Sequence, residues 1–207
     1  MKTFTEFTNE KLSLNDISKM SPYRYKPKTP RELRLLIEKL IEERGNTGDF
    51  NDIDTSLITD MGMMFYELED FNGNISKWNT SNVKDMENMF CRAKSFNQPI
   101  GDWDTSKVIY MYGMFYEAKS FNQPIDNWNT SKVTDMSHMF KNAISFNQSI
   151  GNWDTLKVTN MSGMFWNAKS FNQNISNWKV NNVESNTDMF TICPIKDTYK
   201  PKFNILF

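Results

Sequence analysis

A chain of 207 residues is long enough to bury one sizeable core, and its net charge of −1 offers no long-range pull toward nucleic acid or an acidic membrane surface. No apolar run approaches the roughly 18 residues of a membrane-spanning helix, and two cysteines cannot form a disulfide framework, so a reduced chain is the simpler reading. The 14 Met, 16 Phe and 6 Trp beside only 8 Gly suggest one residue pattern copied many times.

Residues 1–28 form a polar segment that is expected to be partly disordered, and their start, MKTFTEFTNEKLSLND, has no signal-peptide core. Residues 29–49 predict a capping helix and a loop. Thr29-Pro30-Arg31-Glu32 reads as a capping box with Pro at the first helical position. Leu33, Leu36, Ile37, Leu40 and Ile41 follow on one face, and Gly45 comes after the end. The acidic stretch Asp49 to Asp54 superficially suggests calcium, but it lacks the downstream bidentate Glu of an EF-hand loop. Phe50 and Ile53 fit better as the first copy of the pattern that follows.

That pattern has a period of 25 and runs over residues 50–193. Trp78, Trp103, Trp128, Trp153 and Trp178 keep its register, as do Phe65 to Phe190 and Val83 to Val183. Each unit reads I-x-x-W-D/N-T-S-x-V-x-D/N-M-x-x-M-F-x-x-A-x-x-F-N-Q-x. Around Trp128 the side chains alternate inward and outward through Ser131, which predicts a short strand in every coil and hence a parallel sheet. Met136, Met139, Phe140, Ala143 and Phe146 have the spacing of one helix face, which predicts an outer wall of short helices. Asp60, Asp85, Asp135, Asn160 and Ser185 stand where N-caps would be. Ala93, Ala118, Ala143 and Ala168, with Cys193 in the same column, are small residues for close approach between coils. Asn72, Asn97, Asn122, Asn147 and Asn172 are expected to satisfy backbone groups at a turn. Residues 194–207 read as a C-terminal cap, with Pro194 stopping the last helix and Phe203, Ile205, Leu206 and Phe207 covering the final coil. The fold class is therefore an α/β repeat solenoid: a leucine-rich-repeat-like right-handed coil, with a short parallel sheet on one face, short helices on the other and an N-terminal capping helix.

The stretch VTDMSHMFKNAISFNQSIGNWDTLKVTNMSGMFWNAKSFNQNISNW closely resembles the 25-residue repeats of BspA-like leucine-rich-repeat surface proteins, which include surface lipoproteins of wall-less bacteria. The resemblance spans roughly residues 50 to 193. It implies adhesion and macromolecular binding at the cell surface and brings no catalytic residues with it. The signal peptide, lipid-attachment cysteine and sorting segment of surface members are not expected here, which leaves the cytoplasm open as well.

No residue set predicts chemistry. His138 falls in a column filled otherwise by Met63, Asn88, Gly113, Gly163 and Asp188, and reads as an exposed position on the outer helix. One His with two distant Cys gives no zinc spacing. Asp102 and Asp104 are Asn in a neighbouring coil, which argues against a catalytic carboxylate pair. The expectation is no enzyme, no metal and no cofactor.

Two surfaces are candidates for a partner. On the sheet face, Asn79, Asp104, Asn129, Asp154 and Lys179 run beside Ser81, Ser106, Ser131, Leu156 and Asn181, edged by Lys107, Lys132 and Lys157. On the helical wall, Tyr110 replaces an N-cap, and Tyr112 and Tyr116 follow four residues apart, with Tyr66 and Trp166 in the Tyr116 column. The predicted function is non-enzymatic recognition of a protein or glycan by a monomer, without nucleic acid or membrane insertion. The alternatives are an intracellular inhibitor or immunity-type protein that blocks one target, and a structural or assembly subunit.

Overall fold

The computed structural model describes residues 21–203, and Thr29 opens the one α-helix among them. Its hydroxyl accepts the Glu32 N–H at 3.1 Å, Pro30 holds the first position of α1 (Pro30–Arg44), and Gly45 closes the helix at φ 76°. Leu33, Ile37 and Leu40 are fully buried, as the apolar spacing anticipates. The last turns of α1 are in 25-residue register with the first coil: Leu40 stands one period before Phe65, and the Arg34 guanidinium reaches the Met63 carbonyl at 2.6 Å. The expected order of residues 1–20, and the covering roles of Ile205, Leu206 and Phe207, lie outside the described residues.

From Asn46 onward the chain winds as a stack of 25-residue coils, but the α/β architecture expected for them is wrong. Among the described residues there is no second α-helix and no strand. There are only seven isolated parallel bridges and a three-residue 3-10 turn, Asp197–Tyr199.

The predicted outer helices are runs of turns. In the segment from Tyr110 to Ala118, the N–H groups of Met111, Gly113, Phe115 and Glu117 donate to the carbonyls of Asp135, Ser137, Met139 and Lys141 in the next coil, at 2.8–3.1 Å. The intervening N–H groups of Met114, Tyr116 and Ala118 turn back to Met111, Gly113 and Phe115 at 2.9–3.3 Å. An α-helix sends every N–H to the fourth residue back. This wall instead alternates a coil-to-coil bond with a tight turn. Twelve wall positions, two per coil from Met63 and Glu67 to Asp188 and Ile192, have φ between 52° and 61°, which no α-helix contains. The apolar spacing still chose the right inward side chains. Met111, Met114, Phe115, Ala118 and Phe121 are all fully buried.

The Asx column caps no helix. Asp60, Asp85, Asp135 and Asn160 each accept the N–H two residues on, at 2.7–3.0 Å, and so close an Asx turn at the entry to each wall segment. Ser185 instead shares a 2.6 Å contact with the Ser162 hydroxyl.

The predicted strand around Trp128 is also a turn pair, since Trp128 N–H returns to Ile125 and Val133 N–H to Thr130. The inward and outward alternation is real, but the bonds between coils here come from side chains. The buried Thr130 hydroxyl donates to the Asp154 carbonyl at 2.9 Å, and Thr55, Thr80, Thr105 and Thr155 repeat the bond. Trp128 Nε1 donates to the Ile100 carbonyl of the preceding coil at 3.0 Å. Burying these polar atoms without partners would be costly.

Aromatic rings form the axis of the core. Phe65 to Phe190 stack at 5.2–5.9 Å from coil to coil, and Phe71 to Phe171 at 5.9–6.1 Å. The Asn column behaves as anticipated: Asn97 N–H donates to Asn72 Oδ1, and the link repeats to Asn172, whose Oδ1 takes the Lys196 N–H.

Candidate functional site

The sequence-predicted ladder lies along one side of the stack, on turns rather than on a sheet. Asn79, Asp104, Asn129 and Asp154 are exposed, and each side-chain oxygen accepts the N–H two residues on, from Ser81, Ser106, Ser131 and Leu156, at 2.9–3.1 Å. The geometry is the same in every coil because the Asx turn fixes it. Contacts from Ser106, followed by the charges of Lys107 and Lys132, hold the Asp104 carboxyl below its usual range. Leu156 is half exposed where the three preceding coils carry Ser and the next carries Asn181. Lys107, Lys132 and Lys157 are all exposed, and Lys107 Nζ reaches Asn82 Oδ1 at 2.8 Å. At the far end an open groove of about 740 Å³ is lined by Thr134, Lys157, Thr159, Asn181, Asn182, Val183 and Glu184.

The tyrosines of the other wall are not one stripe. Tyr110 and Tyr112 are exposed, and the Tyr112 ring meets His138 edge-on at 5.7 Å. Tyr116 is half-buried in a separate column, where Lys141 Nζ lies between its ring, at 5.6 Å, and that of Trp166, at 3.9 Å. The sequence offered no signal for this interleaved lysine beyond its column position.

His138 is not on an outer helix and is only half exposed. Its φ is 56°, its Nδ1 is buried without a hydrogen-bond partner among the described residues, and burial, then Lys141, lowers its pKa. Asp49, Asp52 and Asp54 are engaged locally: Asp49 accepts from Asn51, Asp52 pairs with Arg44 at 2.8 Å, and Asp54 accepts the Ser56 N–H. Cys91 is buried, which pushes its thiol up to about 11, while Cys193 is half-buried with its Sγ 3.6 Å from the Phe171 carbonyl. Neither is a reactive thiolate at neutral pH.

The last coil shows a feature that the sequence pattern did not suggest. The N–H groups of Asn186, Asp188, Phe190 and Ile192, which in earlier coils would bond to the next wall, have no backbone acceptor among the described residues. Met189, Phe190, Pro201 and Phe203 line the open end beside them. The wall hydrogen bonds all run in one direction, so among the described residues this edge presents donors.

No curated protein and no solved structure matches the chain. One family model matches it twice in overlapping windows, residues 37–131 and 101–200, as a repeat does. The chain therefore belongs to the repeat family described as Mycoplasma protein of unknown function, DUF285.

Proposed function

We propose that the protein is a non-catalytic binding module that recognises a protein or glycan through the ladder of Asn79, Asp104, Asn129 and Asp154 with its flanking serines and lysines. The observation that carries this reading is the repetition of one Asx-turn geometry, coil after coil, with polar side chains held outward at fixed intervals. A surface already ordered by its own backbone loses little conformational entropy on binding. On this reading the chain shares with BspA-like surface proteins the use of a repeated surface for adhesion. Tagged full-length protein, incubated with live cells and separately with lysate, supplies the partner. The reading holds if the recovered partner loses affinity for a Lys132→Glu variant that melts like wild type, and it fails if ladder variants bind unchanged.

A second reading, an assembly subunit, is favoured by the donor edge of the last coil. It requires self-association that depends on concentration, which light scattering behind size exclusion measures.

A further inference from the structure

Stacked charges on this protein alternate in sign where they have partners. Arg92 bonds Glu67 in the preceding coil at 2.6 Å and lies 3.7 Å from Glu117 in the next. Two columns away, Lys94 pairs with Glu69 at 2.6 Å. The column of Lys107, Lys132 and Lys157 breaks this arrangement. It places one cation per coil on three successive coils, and among the described residues no carboxylate lies within 4.0 Å of any of the three. Asn82 and Asn182 hold the same column in the flanking coils, so a neutral residue fits the position.

Ring stacking puts successive coils 5.2–5.9 Å apart at the core, less than the screening length of about 8 Å at physiological salt. Lysines carried one per coil on that repeat add their positive potentials along the column, and Asp104 and Asp154 offset them only in part. The groove that begins at Lys157 adds the hydroxyl and amide groups of Thr134, Thr159, Asn181 and Asn182, with Val183 the one apolar residue and Glu184 the one anion among them.

We propose that this lysine column and its groove bind a linear anionic polysaccharide lying along the stack. The inference rests on the binding-module reading and names the partner's chemistry. Negative groups repeated along a polymer answer cations repeated along a column, and the amides and hydroxyls beside them suit sugar hydroxyls. Nucleic acid is the poorer fit. Trp103, Trp128 and Trp153, the repeated aromatic column four residues before the lysines, are only 3–4% exposed, so that column gives bases no stacking platform, and the chain is weakly acidic overall.

The test is calorimetric titration of the full chain with heparin as the sulfated-glycan probe. Neutral dextran and a single-stranded oligodeoxynucleotide serve as controls, and the measurement is repeated with Lys107, Lys132 and Lys157 all changed to Ala. Expected are saturable heparin binding that weakens with salt, none for dextran, at least tenfold weaker binding of the oligonucleotide, and a tenfold or greater loss in the triple variant at unchanged melting temperature. Absence of heparin binding, an unaffected triple variant, or equal binding of the oligonucleotide overturns the proposal. If heparin fails while a protein partner still loses affinity with Lys132→Glu, the glycan inference falls and the binding-module reading stands.

Discussion

The imidazole of His138 lies in the space that a Cβ on Gly163 would occupy, with its Cε1 only 2.7 Å from that position. Asn88 and Gly113 stand in the same relation two coils earlier. Both glycines also have positive φ, 56° and 59°. One column thus alternates a side chain that leans across to the next coil with a glycine that leaves room for it. Gly163→Ala is therefore expected to destabilise the fold by about 1–3 kcal/mol. Adding His138→Ala should recover part of the loss, since it removes the clash and leaves the backbone strain. A thermal-unfolding double-mutant cycle with no coupling between the two would show that the side chains do not meet.

Trp128→Ala removes a buried ring that stacks on Trp153 at 6.3 Å and on Phe115 at 6.1 Å, together with its hydrogen bond to Ile100. The expected cost is about 3–5 kcal/mol. A denaturant midpoint equal to wild type would contradict the placement of the Trp column inside the stack.

Thr130→Val keeps the shape of a fully buried side chain and deletes the hydroxyl that satisfies the Asp154 carbonyl. A loss of about 1–3 kcal/mol is expected, because the acceptor would be left without a partner. Ser131→Ala, at a more exposed position, is the comparison. Equal effects of the two would deny the threonine bond its role in joining coils.

Burial, then the charge of Asp60, raises the pKa of Asp85. Its folded form holds the proton more tightly than the unfolded chain does. This carboxyl therefore favours folding below the ordinary aspartate range and opposes it once pH rises through its raised value. Asp85→Asn keeps an oxygen for the Glu87 N–H, as Asn160 does for Ser162. The variant should melt above wild type at pH 7, and the gap should close below about pH 3.9, the ordinary aspartate value. A gap of the opposite sign at pH 7 would contradict the burial argument.

Part of the fold was legible in the sequence, but its class was not. The period, the inward columns and α1 follow from Trp128, Phe140 and the Thr29 cap, because burial leaves its mark on residue type whatever the backbone does. The conformation of the wall was not legible from apolar spacing, since Met136, Met139, Phe140 and Ala143 face inward equally well from a helix or from stacked turns. A partial signal did exist in the two wall columns of positive φ. Asn88, Gly113, His138, Gly163 and Asp188 share a column of residues that tolerate positive φ, and so do Asn142 and Asn167 in the other. The candidate ladder was found as an exposed row, but the Asx turns that fix it became visible only with the backbone in place. The donor edge of Asn186 to Ile192 depends on which way each peptide points, which residue identity does not encode.

The most direct measurement of the binding-module account is the affinity of a recovered partner for two matched variants, Lys132→Glu on the ladder and Tyr112→Ser with Tyr116→Ser on the wall of turns, each first shown to melt as wild type does. The account expects Lys132→Glu to weaken binding severalfold and the tyrosine pair to leave it near wild type. Full affinity in Lys132→Glu, with the loss falling on the tyrosine pair, would contradict it.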